Sequence, residues 1–126
     1  MLAKDAKILV VDDMKMIRKS IIKYLGKLGY EDVIEAANGA EAVAKARVGT
    51  INFIFLDIVM PTLTGDEALK QIREINPDLP VAMLSSVYDD DVIKACKAQG
   101  IVGYILKPLD AESGPEMLSK ILAKVA

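Results

Sequence analysis

The chain has 126 residues, a hydrophobic fraction of 52% and a formal charge of −2, which fits one domain with a real core and argues against disorder. The near balance of charge provides no global basic field to draw it to nucleic acid or membrane. With no histidine and a single cysteine, Ser-His-Asp hydrolysis, Cys-His chemistry, histidine metal sites and an internal disulfide are excluded.

Met1–Lys7 holds no long apolar stretch, so no signal peptide is expected. Nothing approaches membrane-spanning length, and a soluble, cytoplasmic protein is expected. Residues 6–11 read as a first strand, an apolar run that ends at Asp12-Asp13. From Met14 to Leu28 the period changes: Ile17, Ile21, Tyr24, Leu25 and Leu28 share one helical face, while Lys15, Lys19, Lys23 and Lys27 recur on another. Asp32–Ala36 is a short second strand. Asn38-Gly39 is a turn, and Ala40–Val48 an alanine-rich helix. The third strand, 52–57, contains Phe53-Ile-Phe-Leu56 and ends at Asp57, followed by the breakers Met60-Pro61 and Gly65. Asp66–Ile75 is a third helix with Ala68, Leu69, Ile72 and Ile75 inward, stopped by Asn76-Pro77. Val81–Ser85 is the fourth strand. Asp89-Asp90-Asp91 opens a fourth helix, where carboxylates meet free N–H groups and the positive dipole end. Cys96 falls on the apolar face of that helix and reads as a small core residue ahead of a redox thiol. Gly103–Leu106 is the fifth strand, ending at Lys107-Pro108, and Pro115 suits the first turn of a last helix running to the C-terminus.

Five strands alternating with five helices call for a parallel sheet covered on both faces. Ligands of such sheets bind beyond the carboxyl ends of the strands. Asp12, Asp13, Asp57, Ser85 and Lys107 all fall at such ends, on strands one, three, four and five. Crowded carboxylates raise one another's pKa unless a cation intervenes. Lys107 is one available cation, and a hard divalent ion is another. Without histidine or spare cysteine, Mg²⁺ or Mn²⁺ is favoured over zinc. A carboxylate nucleophile, a lysine, a hydroxyl and such an ion are parts suited to phosphoryl transfer.

These motifs resemble the receiver domains of two-component response regulators, of the single-domain chemotaxis (CheY-like) type. The resemblance rests on Asp12-Asp13, on Leu56-Asp57-Ile-Val-Met-Pro61 with Gly65, on Leu84-Ser85-Ser86, and on Gly103-Tyr104-Ile-Leu-Lys107-Pro108. It covers essentially the whole chain, residues 1–126, as one receiver domain. It implies a flavodoxin-like (βα)5 fold with strand order 2-1-3-4-5. It implies Asp57 as phosphoacceptor, with Asp12, Asp13, Asp57 and the backbone carbonyl of Val59 holding Mg²⁺. Lys107 then pairs with the phosphoryl group, and the Ser85 hydroxyl and Ser86 backbone N–H donate to its oxygens. Tyr104 is the implied rotameric switch, and Lys107-Pro108 an implied cis peptide. The implied partners are a sensor histidine kinase or histidine phosphotransfer domain, and a downstream protein met through the fourth helix, fifth strand and fifth helix.

Blander readings stand beside these. Asp12-Asp13 by itself suits a helix cap, but Asp57 and Lys107 together favour the site. Tyr104 reads equally as packing, and only the resemblance favours the switch. The lysine stripe reads first as a solvated face; the family's use of this helix to meet kinases keeps docking open. Two departures from the family pattern stand out. Val59 and Val87 flank the expected phosphate mouth, and neither side chain can orient an attacking water, so slow hydrolysis is expected. Asp110-Ala-Glu-Ser-Gly-Pro115 is expected to delay the last helix, because Gly and Pro are costly inside one. The expectation is a monomeric signalling switch that catalyses only its own phosphorylation and dephosphorylation, with no DNA-binding element. The alternatives are a non-phosphorylated receiver-like binding module and a Mg²⁺-dependent aspartyl phosphohydrolase, which would want a second acid where Val59 stands.

Overall fold

The strand runs Ile8–Val11 (β1), Val33–Ala36 (β2), Phe53–Asp57 (β3), Val81–Ser85 (β4) and Gly103–Leu106 (β5) form one parallel sheet in the order β2-β1-β3-β4-β5. This is a computed structural model, describing residues 1–86 and 90–125. Between the strands run α1 (Lys15–Lys27), α2 (Gly39–Arg47), α3 (Gly65–Ile75) and α4 (Asp90–Ala98), and α5 (Gly114–Leu122) follows β5. The expected doubly wound (βα)5 fold and its strand order are therefore observed.

Every residue of β1, β3 and β4 is buried, as expected for strands covered on both faces. Alternate side chains supply two cores. Leu9, Val11, Ile54, Leu56, Val81 and Met83 face the side of α2, α3 and α4. Ile8, Val10, Phe53, Phe55, Leu84 and Ile105 face the side of α1 and α5. The rings of Phe53 and Phe55 are tilted at 4.8 Å between centroids. Cys96 is fully buried in the first core, and burial pushes its thiol up to about 11. That environment suits a packing residue and leaves no reactive thiolate near neutral pH.

Most boundaries fall within two residues of the sequence reading, and the differences have local causes. The first strand begins at Ile8 because the Asn52 side chain takes the Lys7 N–H at 2.8 Å, substituting for a ladder partner. Asn38 is the N-cap of α2 and not part of a separate turn: its Oδ1 accepts from Glu41 N at 2.9 Å. Glu41 returns the favour by accepting from Ala37 N at 2.7 Å, close to the reciprocal pattern of a capping box. Ile75 is only half-buried at the end of α3, and Asp89 lies outside the described residues. The last helix starts at the Gly114-Pro115 pair, and it stops at Leu122 rather than running to the C-terminus. Asp110 Oδ1 accepts from the backbone N–H of Glu112 and Ser113 and from the Ser113 hydroxyl, holding a turn ahead of α5. Gly114 then opens the helix against α1, where a Cβ would lie 2.8 Å from the Tyr24 ring. Close helix packing is what requires glycine there.

Candidate acidic site at the strand ends

From β1 the chain moves outward to β2, then returns past β1 to β3. The direction of winding reverses between β1 and β3, which is where such sheets open a crevice for ligands. Asp12 follows β1 directly, and its N–H continues the ladder to Ala36 O at 3.2 Å. Asp57 is the last residue of β3 and Ser85 the last of β4. Lys107 follows β5 and donates its N–H to Ser85 O at 2.8 Å. Asp12, Asp57 and Ser85 are the buried polar residues among those described, at 0%, 1% and 1% exposure.

The sheet thus brings together what the sequence placed at strand ends. Lys107 Nζ donates to Asp12 Oδ2 at 2.8 Å and stands 3.2 Å from Asp57 Oδ1 as an ion pair. Asp12 Oδ1 accepts from Met14 N at 2.9 Å. Asp12 therefore holds a turn ahead of α1 and walls the site, but the helix-cap reading is not met: the N-cap of α1 is Met14, with no side-chain cap bond. Neither Asp57 carboxylate oxygen has an aligned hydrogen-bond donor among the described residues. Burial pushes the Asp57 carboxyl up to about 6, with the charge of Asp12 adding to the rise and Lys107 opposing it. Burial alone acts to lower the Lys107 ammonium; its bond to Asp12 and the charge of Asp57 outweigh this, so the net direction is upward.

Asp12, Asp13 and Asp57 each offer an oxygen, all within 4.8 Å of one another. Asp13 is exposed and opens the cluster to solvent. Hard oxygen donors, two of them on a buried carboxylate that has only the Lys107 ion pair for company among the described residues, fit a hard divalent cation of the magnesium kind. Val59, whose carbonyl was expected beside the ion, lies two residues beyond Asp57 with its side chain 56% exposed. Ser86 is exposed just after β4, and Tyr104 is half-buried on β5 in register with Met83, packed against the α2–α3–α4 core. Val87 lies outside the described residues. The Lys107-Pro108 bond is cis, as expected.

The loop after Asp57 is shaped by close approach. Gly65 N donates to Ile58 O at 2.7 Å, and a Cβ at Gly65 would lie 2.0 Å from the Asp57 carbonyl oxygen. No side chain fits without displacing the phosphoacceptor candidate's own backbone. Within the loop, Leu63 N donates to Pro61 O at 2.9 Å, with Thr62 held at a φ of 74°. That is the signature of a strained γ-turn.

Sequence reasoning missed a second layer. Arg18 Nη1 donates to the Asp12 carbonyl at 2.8 Å, and its Nε to Glu35 Oε1 at 2.9 Å. Lys19 holds the other Glu35 oxygen at 2.8 Å. The Lys19 bond leads in keeping the Glu35 carboxyl below its ordinary value. Lys45 also donates to the Glu35 carbonyl. The signal available was an acid inside a short apolar strand, Glu35, following a helix with adjacent Arg18 and Lys19.

A parallel sheet of this order, with acids at the β1/β3 reversal and a lysine reaching across from β5, defines a CheY-type receiver. The chain belongs to the response regulator receiver domain family, whose sequence description matches residues 8–119. The chemotaxis protein CheY of Bacillus subtilis is 34% identical over 116 residues, covering 92% of this chain and 97% of that one. The crystal structure of CheY4 of Vibrio cholerae, obtained at low pH, superposes with a TM-score of 0.83 at 36% identity, covering 97% of this chain and 99% of that one. The CheY of a CheX-CheY-BeF3-Mg²⁺ complex from Borrelia burgdorferi superposes with a TM-score of 0.85 at 29% identity, covering 96% and 90%. Among the described residues, no helix is long and apolar enough to cross a membrane.

Proposed function

We propose that this receiver is a phosphorylation-dependent signalling switch whose phosphoacceptor is Asp57. The observation that carries the reading is the Asp57 carboxylate itself: buried, lacking an aligned donor among the described residues, and 3.2 Å from Lys107. Such a group is expensive to keep unless it has a charged guest. The Borrelia relative, seen with beryllofluoride and Mg²⁺, carries a tetrahedral stand-in for a phosphoryl group together with the expected ion.

The donor is the phosphohistidine of a sensor kinase or phosphotransfer domain. A carboxylate oxygen of Asp57 forms the new O–P bond as the N–P bond breaks. The bonding pair goes to the imidazole nitrogen, which takes a proton from solvent. Asp12, Asp13, Asp57 and the Val59 carbonyl would hold Mg²⁺, which when bound offsets negative charge between carboxylate and phosphoryl oxygens. Lys107 provides a second, fixed positive charge already aimed at Asp57. The Ser85 hydroxyl and the Ser86 N–H orient the phosphoryl oxygens, and Tyr104 reports the change.

Output passes by population shift to protein partners on α4, β5 and α5. A shallow groove of about 390 Å³ lies there, lined by Lys97, Ile101, Val102, Gly103, Tyr104 and Lys124. The protein turns over no separate substrate. That the Borrelia relative is found in complex with CheX supports a protein partner for this chain.

The test is intact mass after incubation with acetyl phosphate and Mg²⁺, with Asp57→Asn and EDTA controls. A magnesium-dependent phosphoryl adduct, lost in the variant, is expected. No adduct on folded protein overturns the reading in favour of a non-phosphorylated binding module.

A further inference from the structure

The feature that this function leaves unused is Arg73, on α3 and remote from the acidic site. Its guanidinium gathers carbonyls from two segments. Nε donates to Gln99 O at 2.8 Å, Nη2 to Gly100 O at 2.7 Å and Nη1 to Leu79 O at 2.6 Å, with a longer approach of 3.5 Å to Asn76 O. Gln99 and Gly100 follow the last turn of α4, where carbonyls lack helical partners and the negative end of the dipole favours a cation. Leu79 and Asn76 belong to the connection from α3 to β4.

α4 needs such a fastening. Cys96 is its one fully buried side chain among the described residues, in the C-terminal half of the helix. Val92 and Ile93, nearer its start, are half-buried. By contrast α3 fully buries Ala68, Leu69 and Ile72 and is the firmer partner. The guanidinium fork satisfies several carbonyls at once in fixed geometry, which a lysine ammonium cannot reproduce.

We propose that Arg73 is a positioning residue for the switch. It pins the C-terminal end of α4 to α3 and to the α3–β4 connection, so that phosphoryl-driven movement of α4 is a swing of its N-terminal turn about a fixed far end. The coupling part of this rests on the reading of Asp57 as phosphoacceptor; the pinning does not.

The test is backbone NMR on the full chain as wild type, Arg73→Lys and Arg73→Met, with and without beryllofluoride and Mg²⁺. Without ligand, Arg73→Met should speed amide exchange across residues 95–100 by about tenfold or more, the size of one lost charge-assisted hydrogen bond, relative to unchanged β3 amides. Arg73→Lys should fall between. With beryllofluoride, wild-type shift changes in α4 should be largest at Asp90 and Asp91 and fade by Gln99 and Gly100, whereas in Arg73→Met they should spread along the helix. A helix that merely lost stability would exchange faster without redistributing the ligand response. Unchanged exchange in both variants overturns the pinning, and wild-type responses as large at Gly100 as at Asp90 overturn the swing. If beryllofluoride perturbs neither Asp57 nor Ser85 in any form, the phosphoacceptor reading and the swing fail together, while exchange still decides the pinning.

Discussion

Lys107 and Asp12 meet at 2.8 Å across the carboxyl edge of the sheet, and the same ammonium lies 3.2 Å from Asp57. One cation thus serves two buried acids. Lys107→Met should leave both uncompensated and lower the unfolding free energy at pH 8 by about 3 kcal/mol. At pH 5 the deficit should shrink, because protonation of Asp57 removes one of the stranded charges. Urea unfolding at the two pH values checks this; an equal deficit at both would refute it.

Asp57 has the opposite sign. Its carboxyl titrates at about 6 in the folded protein against an ordinary value of 3.8. The folded state therefore holds the proton more tightly, and ionising the group costs stability. Below pH 3.8 the cost is absent; it grows as pH rises toward 6 and is complete above that. Asp57→Asn should raise the unfolding free energy by up to about 3 kcal/mol at pH 8 in EDTA, the two pKa values differing by about two units at about 1.4 kcal/mol each. The gain should vanish near pH 4. Millimolar Mg²⁺ should stabilise the wild type and not the variant.

Thr62 is a β-branched residue at a φ of 74°, where strain of about 1–3 kcal/mol is expected. Thr62→Gly removes the clash at an entropic cost of about 1 kcal/mol. A net gain of about 0.5–1 kcal/mol should appear as a higher urea midpoint at unchanged slope. A lower midpoint would show that the threonine side chain contributes more than its backbone costs.

Val59 presents an exposed isopropyl group beside the site. If phosphoryl lifetime depends on orienting water there, Val59→Asn should shorten the half-life of phospho-Asp57 several-fold, within the roughly 100-fold that general acid–base positioning commonly supplies. A wild-type half-life equal to or shorter than the variant's would sink the idea.

The strands Val81–Ser85 and Gly103–Leu106 were legible to the residue, because short apolar runs between breakers allow few other structures. The site was legible for the same reason, since its acids, serine and lysine each interrupt or end such a run. Asn38 was ambiguous: Asn-Gly suits a turn and a helix start alike, and the deciding clue lay three residues on, at Glu41. Arg18 and Arg73 were not legible in their roles. A sequence shows that an arginine exists, but not that Arg18 reaches the Asp12 carbonyl and the Glu35 carboxylate, or Arg73 the carbonyls of Leu79, Gln99 and Gly100; those partners are fixed only once sheet and helices have assembled.

Tyr24 of α1 and Gly114 of α5 meet so closely that the ring fills the space a side chain would need. On the proposed function α5 is ground for the target, and on the docking reading that the family resemblance keeps open α1 is ground for the phosphodonor. The two helices are therefore adjoining berths on one hull, and a bulky visitor moored at one crowds the other. Such a receiver would be written and read in turn, its messages taking their order from simple want of room.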